Sequence, residues 1–446
     1  MPNVLGELLA GARKVMGCLR DRRSASNATK YPMEVIGMAA LSVFVMQDPS
    51  FLSNQQRLAK GTSVHNFHTL FGCEEIPSPN QIRNVLDSAD PAELEELYHD
   101  GLRALERSEC LRQFRHFDDG YLIALDGTQA QSSERVHCDN CSVKCHGGKT
   151  HYSHSVLCAS IVSPDIKEAV ALVPEFITPQ DGCEKQDCEF NAAKRWLKKH
   201  AETYKRLKPT IIGDDLFSKQ PMCDAVVEAG FDFVMVCKPD SHKFLYSYIQ
   251  KFASNVMDTK VSSQKGRRAS LYQYKFLNYV PLRDGQDATY VSWVEVTESD
   301  KKTGKQLYKN SFITNKAINH DNAHKIASAG RARLRLENEN NNTLKTKGYH
   351  FEHNYGHGKK NLSSVLTSLT IVAFLYHTIM NLMNALYVKA KHSCGARDRF
   401  FEAIRHFTSK LVFKSWDHLL EFIHYDPSEL EVQTWVFDGV NGGAEV

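Results

Sequence analysis

Up to about residue 118, apolar positions recur at the three- and four-residue spacing of helices. Residues 31–46 form an apolar stretch behind the polar Ser24-Ala25-Ser26-Asn27, and residues 91–111 carry helical spacing with an acidic start. Between them Pro77-Ser78-Pro79-Asn80 makes a turn and a helix start that residues 81–86 continue. This rhythm suits a helix–turn–helix DNA-binding module and suits any small helical bundle equally well. From residue 121 the period changes. A short apolar run, 121–125, ends in Asp126-Gly127-Thr128, and strands follow at 156–162 and 169–173 with Pro164-Asp165 as the turn. A helix over 185–207 leads to the β-branched Thr210-Ile211-Ile212, which stops at Gly213-Asp214-Asp215. A helix at 220–229 and a strand at 231–237 complete an order of three strands, helix, strand, helix, strand, which is a mixed α/β pattern.

Residues 238–310 break that rhythm. A basic loop, Lys265-Gly266-Arg267-Arg268, precedes alternating strands at 271–279 and 290–296, and 300–304 is a polar hairpin turn. The expectation is a β-rich insertion, after which the α/β pattern resumes at 311–314 with a helix over 321–344. The remainder is mostly helical. Its longest apolar stretch, 362–388, carries Ser363, Ser364, Thr367, Thr370, His377, Asn381 and Asn384, which suits a buried helix better than a lipid-facing one. Three units are therefore expected: a helical region over 1–118, an α/β core over 119–360, and a helical region over 361–446.

Composition narrows the class without fixing it. The 446 residues exceed a typical single domain, and 42% hydrophobic with 24% charged residues is an ordinary globular mix. A net charge of +3 does not identify a nucleic-acid partner, so any such affinity must come from local clusters. One cluster holds Lys194, Arg195, Lys198, Lys199, Lys205, Arg206 and Lys208; another holds Arg331, Arg333, Arg335, Lys345 and Lys347, with Lys359 and Lys360 close behind. Either alone would also be a solvated helix face. The N-terminal residues mix charge with short apolar runs, which is not a secretory signal, and twelve cysteines then suggest thiols rather than a disulfide framework. The expected location is the cytoplasm, with no membrane association.

Candidate chemistry lies in the acids. Asp126 and Asp214 each follow a strand expected in an α/β sheet, where strand ends project side chains into a crevice; either could also cap a helix or order a turn. A third acid comes from the basic helix, where Glu337 and Arg333 are four residues apart and share a face. Two aspartates and a glutamate suit hard divalent cations, since Mg²⁺ takes carboxylate and phosphate oxygens and a pair of such ions serves in-line phosphodiester displacement. Neighbouring Arg and Lys would hold the flanking phosphates.

At these residues the chain resembles the DDE transposases of bacterial insertion sequences. The resemblance rests on ALDGTQ (124–129), PEFITPQDGCEKQDCE (174–189), IIGDDLFS (211–218), SFITN (311–315) and, most specifically, GRARLRLENENNNTLKTKGYHFEHNYGHG (330–358), and spans roughly residues 115–375. It implies an RNase H-like mixed-sheet core with a β insertion before the glutamate helix. It also implies Asp126, Asp214 and Glu337 as catalytic acids holding Mg²⁺ or Mn²⁺, as two ions. Asp215 and Glu339 are the reserve acids, and Arg333, Arg335 and Lys345 the phosphate contacts. The pattern departs at Leu334, where the family carries an aromatic residue, and at Asn341, where an apolar aromatic one is common.

A second constellation lies between Asp126 and the next strand. His137, Cys138, Cys141, Cys145, His146, His151 and His154 fall in an insertion over about 134–154, with Gly147-Gly148 allowing it to turn back. Cys138, Cys141, Cys145 and His146 are the candidate ligands of a structural Zn²⁺, against the reading of a merely polar loop. Cys183 and Cys188 are expected to be structural, with a contribution to the same site left open. His350, His353 and His357 are expected in a loop after the catalytic helix, making backbone or DNA-phosphate contacts.

The expected function is metal-dependent strand cleavage and strand transfer on double-stranded DNA, at insertion-sequence ends and target, by protomers paired as a dimer on DNA. The alternatives are an RNase H-like nuclease without strand transfer, and a catalytically silent DNA-binding protein of transposase descent.

Overall fold

The structure, a computed structural model, describes residues 3–23, 30–58, 63–179, 187–265 and 268–425. Among them eleven strands join one mixed sheet. In chain order these are β1 (Leu122–Ser133), β2 (Ser142–His146), β3 (Lys149–Val162), β4 (Val170–Ala171), β5 (Glu175–Ile177), β6 (Thr210–Gly213), β7 (Asp232–Val236), β8 (Met257–Lys265), β9 (Arg268–Pro281), β10 (Tyr290–Asp300) and β11 (Gln306–Thr314). The spatial order is β2-β3-β1-β6-β7-β11-β10-β9-β8, with β4 and β5 both pairing β3. β1–β6 and β6–β7 are parallel and the other pairs antiparallel. The parallel centre explains its own sequence: Thr210, Ile211, Ile212 and Gly213 are all buried, as a strand flanked on both edges and covered on both faces must be.

Two features differ from the sequence expectation. β1 does not stop at Asp126 but runs on to Ser133, paired with β3 as far as Ser133↔Tyr152. The segment expected as a Cys/His loop is largely the hairpin β2–β3, joined through Gly147 and Gly148 at positive φ. The β-rich stretch expected over 238–310 is present as β8 to β10, with the turn after β10 in its expected place. β11 pairs with β7, so β8 to β11 extend the same sheet outward. Gly266 and Arg267 of the basic loop lie outside the described residues.

Helix Ala323–Arg335 lies against β6, β7 and β10. It continues through a π-helical turn, Leu336–Asn341, and a short helix, Asn342–Thr346. On the other side of the chain's course, helix Leu362–Met383 packs against Met33–Val45, Glu95–Arg107 and β4. It is the one helix among the described residues long and apolar enough to cross a bilayer, and its apolar window is wholly buried in protein. Several of its polar groups find partners inside, although the buried Tyr376 hydroxyl has none among the described residues. Ser363 donates to Gln131 (3.0 Å), Tyr98 donates to the Ser368 carbonyl (3.0 Å), and the His377 ring lies between the Tyr349 hydroxyl (2.6 Å) and the Val45 carbonyl (3.1 Å).

The close seating of the acid-bearing helix on the sheet is testable at Gly330, which is buried and where a Cβ would overlap the Phe312 ring of β11. Gly330→Ala should lower unfolding stability by about 1–3 kcal/mol through overpacking. Phe312→Leu in the same chain should recover part of that loss in chemical denaturation. Full additivity of the two changes would show that the ring and the helix do not press on one another.

Candidate functional site

The sheet builds a crevice by ending strands at different heights. β6 stops at Gly213, and its pairing with β1 ends at Ala124↔Ile212, whereas β1 and β3 continue. Asp126 lies two residues past that end, opposite Cys158 of β3, and Asp214 is the residue after β6. Both carboxylates thus lie where the parallel pairing opens, the usual position of a site in an α/β sheet.

The π-helical turn supplies the opposite wall. The turn Leu336–Asn341 carries Glu337 and Asn341, four residues apart and so on one face; single π turns recur at functional sites. Asn341 is buried and its Nδ2 donates to Asp126 Oδ2 (3.0 Å). A cavity of about 300 Å³ results, lined by Asp126, Thr128, Arg333, Glu337, Asn341 and Lys345 among others. Glu337 pairs with Arg333 (3.7 Å) and is half exposed, and Lys345 pairs with Glu352 (3.0 Å). Burial pushes the Asp126 carboxyl up to about 6; Arg333 opposes this, while Glu189, Asp214 and Glu337 add to it.

The remaining candidates are placed differently. Asp215 is tied into a turn, accepting from the Lys238 amide (2.7 Å) and the Ser241 hydroxyl (2.6 Å), whereas Asp214 accepts from the Leu216 amide (2.9 Å) on Oδ1. Glu339 lies 3.9 Å from Arg335, and Arg335 donates to the Pro164 carbonyl (3.3 Å). Arg335 therefore faces a second groove, with Leu334, Arg331, Tyr272 and Tyr274, away from the Asp126 cavity. Both departures from the family pattern acquire a place: Leu334 is partly exposed in that groove, and Asn341 holds Asp126.

Glu189, the first residue of helix Glu189–Tyr204, is a site residue that sequence reasoning missed. Its carboxyl packs over Gly127, where a Cβ would overlap it, and burial followed by the Asp214 charge raises its pKa, with Lys144 opposing. The available signal was the glycine directly after Asp126, since glycine inside a strand marks a close approach.

A separate buried cluster gathers Cys138, Cys141, His154 and His357, whose four ligand atoms all lie within 4.8 Å of one another. They are close enough to share a metal ion. The Cys138 thiol is pushed up to about 12 by its hydrogen bond with Cys141 and by burial, and the same bond draws Cys141 down to about 7. This corrects the expected ligand set. Cys145 is exposed, 3.9 Å from the Thr150 hydroxyl, because β2 carries it out toward the hairpin tip. The side chain of His146 and residue Cys183 lie outside the described residues. Cys188 is exposed. β3 returns His154 instead, and His357 arrives from the segment after the acid-bearing helix. His137 stacks on Tyr152 and His353 packs edge-on to Tyr355.

No protein-family model matches the chain, and no curated protein matches it.

The raised Asp126 carboxyl makes a stability prediction. An acid with a folded-state pKa near 6 and an ordinary value of 3.8 favours the fold when protonated, so its contribution is full below about pH 4 and lost as pH rises to about 6. In chelator-treated protein, Asp126→Asn cannot ionise and still accepts from Asn341. It should exceed wild type by up to about 3 kcal/mol near neutral pH and match it at about pH 4. Thermal melts across that range check this; a gain independent of pH would contradict the burial argument.

Proposed function

We propose that this chain is a DDE-type transposase with an RNase H-like core, cleaving and joining double-stranded DNA as a dimer pairing two ends. The observation that carries the reading is one cavity lined by Asp126, Glu337, Arg333 and Lys345, with the Asp214 charge close enough to act on Asp126. The fold supports it. β1, β3 and β4/β5 form an antiparallel set, and β6 and β7 then run parallel to β1, each preceded by a helix.

Asp126, Asp214 and Glu337 would hold the reacting ions, Mg²⁺ or Mn²⁺. The donor set fits: the charges of Asp214 and Glu337 add to the raised pKa of Asp126, and carboxylate oxygens suit a hard, oxygen-preferring dication. When bound, such ions neutralise charge on the attacking and leaving oxygens of an in-line displacement. The chain's own groups do the rest. Asn341 fixes the orientation of Asp126 through Oδ2, leaving Oδ1 for the cavity. Arg333 and Lys345, at present paired with Glu337 and Glu352, are positioned to exchange those carboxylates for DNA phosphates. A structural Zn²⁺ would be held apart from the reacting ions, by cysteine and histidine side chains outside this cavity.

The test uses duplexes carrying the ends of the element that encodes the chain. Asp126→Asn should abolish strand cleavage in Mg²⁺ while leaving end binding within a fewfold of wild type. Arg333→Ala should reduce the magnitude of the slope of log affinity against log salt by roughly 0.9, the loss of one phosphate contact. Equal slopes would mean that Arg333 only braces Glu337. Cleavage without joining would identify a nuclease, and wild-type binding without cleavage a silent DNA-binding protein.

A further inference from the structure

We propose that Cys138, Cys141, His154 and His357 form a tetrahedral Zn²⁺ site that staples the segment following the acid-bearing helix to the β1–β3 edge of the sheet. Zinc bound at about 2.3 Å to sulfur and about 2.0–2.1 Å to nitrogen fixes the edges of its tetrahedron. Two sulfurs must then lie about 3.8 Å apart, a sulfur and a nitrogen about 3.6 Å, and two nitrogens about 3.3 Å. The cluster has Sγ to Sγ at 3.9 Å, three Sγ to Nε2 separations of 3.5, 3.4 and 3.3 Å, and Nε2 to Nε2 at 3.1 Å. The sixth edge, Cys138 to His357, is no longer than 4.8 Å.

The surroundings are those of a ligand set. The Cys141 amide donates to the Cys138 carbonyl (3.1 Å), a tight turn that points both sulfurs the same way. His357 Nδ1 lies 3.2 Å from the Gly358 carbonyl; donating there leaves the Nε2 lone pair aimed at the centre of the cluster, the outer hydrogen bond typical of metal-bound imidazole. Cys141, His154 and His357 are buried. Hydrogen bonding alone would satisfy these groups in pairs and gives no reason for four lone pairs to meet at one point.

The staple also has a mechanical place. Cys138 and Cys141 follow β1, which carries Asp126, His154 lies on β3, and His357 lies beyond the helix that carries Glu337. The same junction is reinforced where Asn140 donates to the Lys360 carbonyl (2.7 Å), and Asp87, after helix Pro79–Leu86, ties the same segment to the N-terminal helices by accepting the amides of Lys359, Lys360 and Leu362. Zinc here would fix the far end of the acid-bearing segment without touching the cavity.

The full chain, purified without chelator, should contain about one zinc per molecule by elemental analysis. Co²⁺ in its place should give tetrahedral ligand-field bands with charge transfer from two thiolates. His154→Ala and His357→Ala should weaken zinc binding at least about tenfold, whereas Cys145→Ser should leave it unchanged. If those histidine variants fail to fold, the wild-type Co²⁺ spectrum decides: an octahedral or three-thiolate signature overturns the ligand set. Metal-free protein with Cys138 and Cys141 joined as a disulfide, detected by mass, overturns the site altogether. Chelation should also speed amide exchange over residues 347–361, and unchanged exchange there refutes the staple. None of these readouts requires DNA cleavage, so the site stands or falls separately from the transposase reading.

Discussion

The hydrogen bond from Asn341 to Asp126 joins positions 215 residues apart in the chain and holds together the two walls of the cavity. Asp126 is fixed by strand pairing on β1, and Asn341 is fixed by a helix that sheds its regular pitch for one turn. A carboxylate drawn out of water among three other acids is costly unless something positive or polar meets it. Asn341 meets one oxygen and Arg333 tempers the charge, yet the carboxyl still sits near 6. On the proposed reading, a dication bound in the cavity would offset that residual cost.

This arrangement needs a rigid support, and the helical layer gives one. Leu362–Met383 is surrounded by helices from the start of the chain and by β4, and Ser363, the Ser368 carbonyl and His377 are bonded across that packing. Tyr349, just past the acid-bearing segment, links the His377 ring (2.6 Å) to the Arg397 guanidinium (2.6 Å). Tyr355 donates to the Asp48 carbonyl (3.1 Å), and Asp48 holds Arg57 (2.7 Å). The segment between the acids and the long helix is thus fastened to Asp48 of the N-terminal helical region and to Arg397 after the long helix, and the Cys/His cluster adds a third attachment, to the sheet.

Periodicity makes most of the elements legible. The apolar run 362–388 contains the buried helix, and the runs ending at residues 125 and 212 contain the paired parallel strands. The crevice follows from those strand ends. The polar continuation of β1 and β3 does not, because Gln129, Ser132 and Ser133 pair with Ser155, Ser153 and Tyr152 without an alternating apolar face to announce a strand. For the same reason the Cys/His stretch looks like a loop, and counting ligands along it selects Cys145, which the hairpin carries away. His357 lies 203 residues from His154, a proximity that only the folded topology creates. The π turn leaves no mark in composition either, so Asn341 looks like a departure from a pattern until its bond to Asp126 is seen.

The central claim, that residues on β1, after β6 and on the acid-bearing helix share one metal-binding centre, is tested most directly by iron-mediated backbone cleavage. Fe²⁺ bound in place of Mg²⁺ generates, with ascorbate and peroxide, short-lived radicals that cut the chain only near the ion. The account predicts cuts clustered close to residues 126, 214 and 337, all suppressed together by excess Mg²⁺. Cuts confined to residues 138–154 and 357, or scattered cuts insensitive to Mg²⁺, would contradict it.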